Sequence, residues 1–267
     1  LEFLQLLPIN SVLSENNHIY DDFSESLAKK LLQEPLIPTQ RGYALPDEVL
    51  ISRTAGLENL FISRDIEKMF DRNKWVHKNI RKQSFAELRT FLREKVEVES
   101  VSIEDVAREI SVKILKTKED SWFRRFYTFL IDHENQWQKG KKGAELRQQP
   151  IILTSKNQLV EPFDENDIPQ VYLPGESSTY FKTVKKAILE SEEALRFLNK
   201  LGLRSPDQLA EIEKYILPRY EKASVAITDI KYEPDIRKIV SFYNGASEKK
   251  RDDFTKQVGR IPFLKAE

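Results

Sequence analysis

The side chains best suited to chemistry lie in one run, Trp122-Phe123-Arg124-Arg125-Phe126-Tyr127, followed by Lys139, Lys141 and Lys142. Arginines set between aromatic rings can stack nucleobases and hold phosphates. The same spacing suits a helix whose core stripe is Trp122, Phe126, Phe129 and Leu130, with the arginines on the wet side. The 43 basic and 43 acidic residues cancel, which removes any general pull toward nucleic acid and favours the core stripe. Two further cations, Arg41 and Lys156, stand at the tips of the expected turns Gln40-Arg41-Gly42 and Ser155-Lys156-Asn157. Exposed turns make good contact points. Arg41, Trp122, Arg124, Arg125, Lys139, Lys141, Lys142 and Lys156 are therefore the candidate partner contacts. Solvated turns and a packed helix are the competing reading.

Other chemistry has less to stand on. His18, His77 and His133 are isolated in sequence, so no metal-ligand spacing arises. The pairs Asp21-Asp22, Glu192-Glu193 and Asp252-Asp253 read as solvated helix starts or faces rather than as the two carboxylates of a hydrolase. The eight glycines form neither GxGxxG nor a Walker loop, and no GxSxG elbow is present. The absence of cysteine excludes disulfides, thiol catalysis and cysteine-ligated metal, and agrees with a cytoplasmic setting. No apolar run approaches the roughly 18–20 residues of a membrane helix, so no membrane partner is expected. The sequence assigns no catalytic, metal or cofactor residue. Its opening, Leu1 to Pro8, lacks a methionine and a signal-peptide pattern, and the chain is expected to be part of a longer protein.

The elements that would carry these residues follow from periodicity and punctuation. Asp21 to Gln33 predicts a helix stopped by Pro35. Leu36–Thr39 and Tyr43–Leu45 flank Gly42 as a hairpin, followed by a helical turn over Pro46–Leu50. Helices are expected from Ser63, acting as cap, to Phe70, over Ser84–Lys95, and from Ser102-Ile103-Glu104-Asp105. Asp120–Trp137 is the aromatic segment. A second hairpin is expected from Ile151–Thr154 and Gln158–Val160, with a strand over Val171–Leu173 and helix over Tyr180–Leu189. Glu192–Leu201 predicts a helix stopped by Gly202, and Ser205-Pro206-Asp207-Gln208 predicts another with Ser205 as N-cap. Pro234–Tyr243 and Ser247–Val258 complete the set.

One phrase recurs. Leu31-Leu32-Gln33-Glu34-Pro35-Leu36-Ile37-Pro38-Thr39 returns as Leu146-Arg147-Gln148-Gln149-Pro150-Ile151-Ile152-Leu153-Thr154, and in part as Gly259-Arg260-Ile261-Pro262-Phe263-Leu264. The helices between the copies recur in the same order. The fold class expected is α+β, predominantly helical: two tandem units of β-hairpin plus helices, and the start of a third. The boundaries read as 1–20 for a preceding element, 21–137 and 138–246 for the units, and 247–267 for the opening of the third. Each unit spans roughly 110 residues, well beyond the period of ordinary solenoids.

The phrase Pro35-Leu36-Ile37-Pro38-Thr39 with Gly42 and Pro46, its copy at Pro150–Thr154, and the run Gln170-Val171-Tyr172-Leu173-Pro174 resemble the sacsin-like and NO VEIN-like family. Phe197-Leu198-Asn199-Lys200-Leu201-Gly202-Leu203 and Ile261-Pro262-Phe263-Leu264 add to the resemblance. In that family a Bergerat-type ATPase domain, of the gyrase and heat-shock chaperone superfamily, is followed by long helical repeats. The ATP-binding asparagine, aspartate and glycine motifs have no counterpart here. The resemblance implies a non-catalytic, chaperone-like scaffold downstream of the ATPase domain, which relays its state or binds a protein partner. It places ATP and Mg in the parent protein and no cofactor in this chain. The alternative is a nucleic-acid-binding module of a bacterial defence or DNA-processing protein.

Overall fold

The computed structural model describes residues 17–141, 144–175, 181–220, 229–259 and 261. It is α+β and mostly helical. The first helix, α1 (Asn17–Gln33), turns Ala28 and Leu31 inward and ends before Pro35. Strands β1 (Ile37–Thr39) and β2 (Gly42–Ala44) pair antiparallel, with Gly42 at φ 88° closing the turn. Pro46–Glu48 form a single 3-10 turn, its Glu48 carboxylate accepting the Leu45 N–H at 3.0 Å. The helical turn expected there stops short, because the β-branched and apolar Val49–Ser52 run on as strand β3.

Around β3 lies a parallel sheet that local patterning does not reveal. Strand β4 (Lys74–Trp75) flanks it on one side and β5 (Ser100–Val101) on the other. Between β3 and β4 run α2 (Leu57–Leu60) and α3 (Ser63–Phe70). The cap of α3 is one residue earlier than Ser63: the Asp65 carboxylate accepts the Ile62 N–H at 2.9 Å, so the acid supplies the terminus and the serine hydroxyl is not used for it. Helix α4 (Ala86–Glu94) buries Leu88, Phe91 and Leu92. Helix α5 (Ile103–Glu109) starts at Ser102, whose hydroxyl accepts from Asp105 N–H while the Asp105 carboxylate accepts from Ser102 N–H. The short α6 (Val112–Leu115) leads to α7 (Asp120–Ile131), which ends six residues before Trp137; a 3-10 turn covers Glu134–Gln136.

Several hydrogen bonds of the second half match those of the first. Strands β6 (Ile152–Leu153) and β7 (Leu159–Val160) pair antiparallel, with Asn157 at φ 56° in the loop. In both hairpins a threonine hydroxyl locks the turn. Thr39 donates to Gly42 O (3.1 Å) and accepts from Arg41 N–H (3.1 Å); Thr154 donates to Gln158 O (3.0 Å) and accepts from its N–H (3.1 Å). Each threonine then bridges a valine, Val76 or Val184. Those valines donate in turn to Leu50 O and Tyr172 O, both at 2.9 Å. Ile51 N–H donates to Glu99 O as Leu173 N–H donates to Arg204 O. A 3-10 turn follows each valine, at Lys78–Arg81 and Lys186–Glu190, and then a helix, α4 or α8 (Glu192–Leu201).

Two local expectations change as a result. The stretch read as helix over Tyr180–Leu189 is, in its described part, a bridge at Thr183 and Val184 followed by a 3-10 turn. β-Branched Thr183 and Val184 occupy the slot that Trp75 and Val76 fill in the first half. The cap expected at Ser205 belongs to Asp207, which accepts from Ala210 N–H at 2.7 Å and opens α9 (Gln208–Glu211); Ser205 Oγ donates to Pro174 O instead. A π-helical turn continues through Ile212–Ile216. Helix α10 (Asp229–Gly245) begins before Pro234 and carries it internally, and α11 (Glu248–Val258) follows. The third copy of the phrase, around Pro262, lies outside the described residues apart from Gly259 and Ile261, as do residues 1–16.

The cores do not divide at 137/138. One cluster joins β3, α2, α3, α5 and α7 to β6, α8 and Leu203, while α1, β1, β2 and α4 share a second. Helix α7 carries this continuity. Trp122 and Phe126 face Phe61, and Tyr127 stacks on Phe197 with centroids 5.1 Å apart. The Tyr127 hydroxyl donates to Ile151 O at 2.8 Å, and its burial pushes the phenol pKa up. The last described helices close over a third, smaller cluster of Ile212, Ile216, Tyr220, Ile239, Phe254 and their neighbours. No helix among the described residues is long and apolar enough to cross a membrane.

Candidate functional site

Helix α7 sorts the chemical run by its own period. Trp122, Phe123, Phe126, Tyr127 and Leu130 point into the core, at 5% exposure or less. The Trp122 indole N–H donates to Leu60 O at 2.7 Å, and its ring stacks on Phe126 at 4.8 Å. Buried and saturated on both counts, Trp122 is a core residue, and it leaves the set of partner contacts. Phe129 makes the opposite move: placed in the core stripe by spacing, it sits half-buried at the stripe's edge.

That edge forms a shallow apolar groove of about 410 Å³. Its floor is Phe129, Leu60 and Gly56; its rim carries Arg124, Arg125 and Ser191. Gly56, at φ 94° before α2, lets the backbone lie close to Phe129: a Cβ there would stand 3.4 Å from the ring. Leu60 is fixed by the Trp122 hydrogen bond to its carbonyl. Ser191 caps α8, accepting from Ala194 N–H at 3.2 Å. The groove thus draws on α2, α7 and the start of α8. The lining includes two guanidiniums and no carboxylate. Arg124 donates to the Glu190 carboxylate at 2.9 Å, whereas Arg125 is exposed.

The lysines lie elsewhere. Lys139 pairs with Asp167, and Lys141 lines a different cleft beside Arg147 and Phe163. No residue lines both this cleft and the apolar groove. Arg147 is nine-tenths buried, lies 3.9 Å over the Phe163 ring, and donates to Asp167, Trp137 O and Leu201 O. Burial raises the Asp167 pKa, but the hydrogen bonds from Lys139 and Arg147 outweigh it and hold the carboxyl below its ordinary value. Lys142 lies outside the described residues. Arg41 and Lys156 are exposed at the hairpin tips, as their turns require.

A larger cleft of about 590 Å³ opens between the start of α7 and the second hairpin. Lys118 and Lys185 reach into it, yet Lys118 is paired with Asp65 and Lys185 with Asp120 at 2.8 Å. These two ammonium groups are therefore already compensated. His133 packs on Phe129 with centroids 4.4 Å apart; burial lowers its pKa against the opposing pull of Asp132 and Glu104. Among the described residues no three His, Asp or Glu side chains converge as a metal-ligand set.

Of the predicted contacts among the described residues, then, only Arg124 and Arg125 are brought together in a concave site. Gly56, Leu60 and Ser191 went unseen in the sequence because they come from distant segments. Phe129 had a usable signal: it stands at i+4 from Arg125, which puts both on one edge of the helix. Comparison with protein-family models, curated proteins and solved structures gives no match.

Proposed function

We propose that this chain is a non-catalytic interaction scaffold, one region of a large ATP-binding protein of the sacsin-like and NO VEIN-like kind. In that role it receives the state of an ATPase domain in the same chain or holds a partner protein. The observation that carries the reading is the use of α7. A helix rich in aromatic rings spends its aromatic face joining two similar hairpin-and-helix frames, and offers outward an apolar groove edged by arginines. Such a frame is suited to fixing the distance between contacts on its surface. The family resemblance, resting on the repeated proline phrases, supplies the ATPase context.

Isothermal calorimetry of the 267-residue chain with Mg-ATP tests it. The expected result is no saturable heat at micromolar nucleotide. Micromolar affinity, or phosphate release by this chain alone, would overturn the scaffold reading.

A further inference from the structure

We infer that the outer face of the first hairpin, marked by Leu36 and Tyr43, is a docking site for an amphipathic helix of a partner protein that carries an aromatic stripe of the α7 kind. The inference deepens the scaffold reading above by naming the chemistry of its partner.

The two hairpins superpose bond by bond. Leu36 N–H donates to Glu34 O at 2.8 Å, and Ile151 N–H to Gln149 O at 2.7 Å. His77 N–H donates to Pro38 O at 2.9 Å, and Lys185 N–H to Leu153 O at 3.0 Å. Ile37 pairs with Ala44 as Ile152 pairs with Val160, and Pro38 with Tyr43 as Leu153 with Leu159. Leu36 therefore corresponds to Ile151, and Tyr43 to Leu159. Side chains two apart on a strand share a face, so Leu36, Pro38 and Tyr43 make one face of the first hairpin. Ile37 and Ala44, on the other face, are fully buried.

The corresponding outer faces meet different surroundings. Ile151 is fully buried, its carbonyl accepts the Tyr127 hydroxyl of α7, and Leu159 packs against the same cluster. Leu36 is 37% exposed and Tyr43 61%. The second half thus displays what such a face accepts: a helix with rings at i, i+1, i+4 and i+5, as in Trp122, Phe123, Phe126 and Tyr127, whose tyrosine reaches the strand carbonyl. Leu36 and Tyr43 would bury apolar surface against a helix of this kind. A second copy of the chain cannot supply it, because its own stripe is already in its core. Charge adds selectivity. Ile80 and Ile188 hold matching places, each donating three residues back at 3.0 Å, to His77 O and Lys185 O. Two residues past Ile188, Glu190 accepts Arg124 at 2.9 Å; two residues past Ile80 stands the exposed Lys82. The partner helix accordingly carries an acid where α7 has Arg124.

Fluorescence anisotropy on the full chain tests the proposal. The probe is a labelled peptide that copies residues 118–133 with Arg124→Glu. Saturable binding is expected, and none by a scrambled peptide of the same composition. Leu36→Asp and Tyr43→Asp, both at exposed sites, should each weaken binding about tenfold, and Lys82→Glu about fivefold. Tyr127→Phe in the probe, which removes one hydrogen bond, should also weaken it about fivefold. Far-UV circular dichroism checks that the chain variants keep their fold. Equal binding of the scrambled peptide, indifference to the hairpin variants or to Lys82→Glu, or no binding of the probe would each overturn the docking site. Self-association of the wild-type chain in sedimentation velocity, abolished by Leu36→Asp, would overturn the partner helix in favour of a second copy. Tighter probe binding by Leu4→Asp would overturn it in favour of the chain's own opening residues. None of these outcomes touches the Mg-ATP result, so failure of the docking face is distinguishable from failure of the scaffold reading.

Discussion

At the scale of single residues, buried charge sets the sharpest expectations. Asp65 and Lys118 form an ion pair with side chains 5% and 9% exposed, and Asp65 also accepts the Ile62 N–H that opens α3. Removing one partner strands the other in a medium that solvates it poorly. Asp65→Ala should therefore cost about 3–5 kcal/mol, measured by urea unfolding. Lys118→Met, which leaves the aspartate its backbone partner, should cost less. A smaller loss for Asp65→Ala than for Lys118→Met would contradict this account. Asp167 gives a pH test. Its folded pKa lies below the ordinary 3.8, so the stability it contributes is present above 3.8 and is lost as pH falls through the folded value. Wild-type chain should lose more thermal stability than Asp167→Asn as pH falls below 3.8 toward the folded value.

At the scale of elements, helix ends respond to backbone conformation. Gly202 ends α8 at φ 106°, a region that costs an L side chain strain, while the space beside it, 3.5 Å from the Phe163 ring, is adequate. Gly202→Ala should thus destabilise by roughly 1 kcal/mol through the backbone alone, lowering Tm by roughly 2–4 °C. An unchanged Tm in calorimetry would show that the helix end relaxes. This terminus was legible because glycine after a periodic run has one main use. The hairpins were legible for a related reason: Gly42 and Asn157 sit where positive φ is required, next to β-favouring residues. The parallel sheet was not. Its strands are two to four residues long and find partners across tens of residues, as Ile51 does with Ser100, so no local period marks them. The groove was half legible. Arg124 and Arg125 stood out by type, whereas Gly56 and Leu60 reach Phe129 only through the docking of α2 on α7.

At the scale of the whole molecule, the distribution of apolar contacts predicts how the chain unfolds. Trp75, Trp122 and Trp137 all belong to the large cluster that runs through α7. Helices α10 and α11 pack instead in the small third cluster, which has seven buried hydrophobic residues among those described. Apolar burial is the main favourable term in folding, so the small cluster has the lower reserve. Among the described residues, Lys238 pairs with Glu211, and Arg219 and Tyr220 bind Asp235, all within this part of the chain. The Phe181–Tyr215 edge contact at 4.8 Å and the Ser205–Pro174 hydrogen bond connect it to the rest. Tryptophan fluorescence therefore reports only the large cluster, while far-UV circular dichroism also reports α10 and α11. Urea titrations followed by the two signals should separate, with helicity lost first and fluorescence changing at higher denaturant. Phe254→Ala, in the small cluster, should widen that gap by shifting only the early step; Phe197→Ala, in the large one, should narrow it by lowering the later step. Coincident curves for the wild-type chain would instead mean that α10 and α11 unfold as one body with the α7 core.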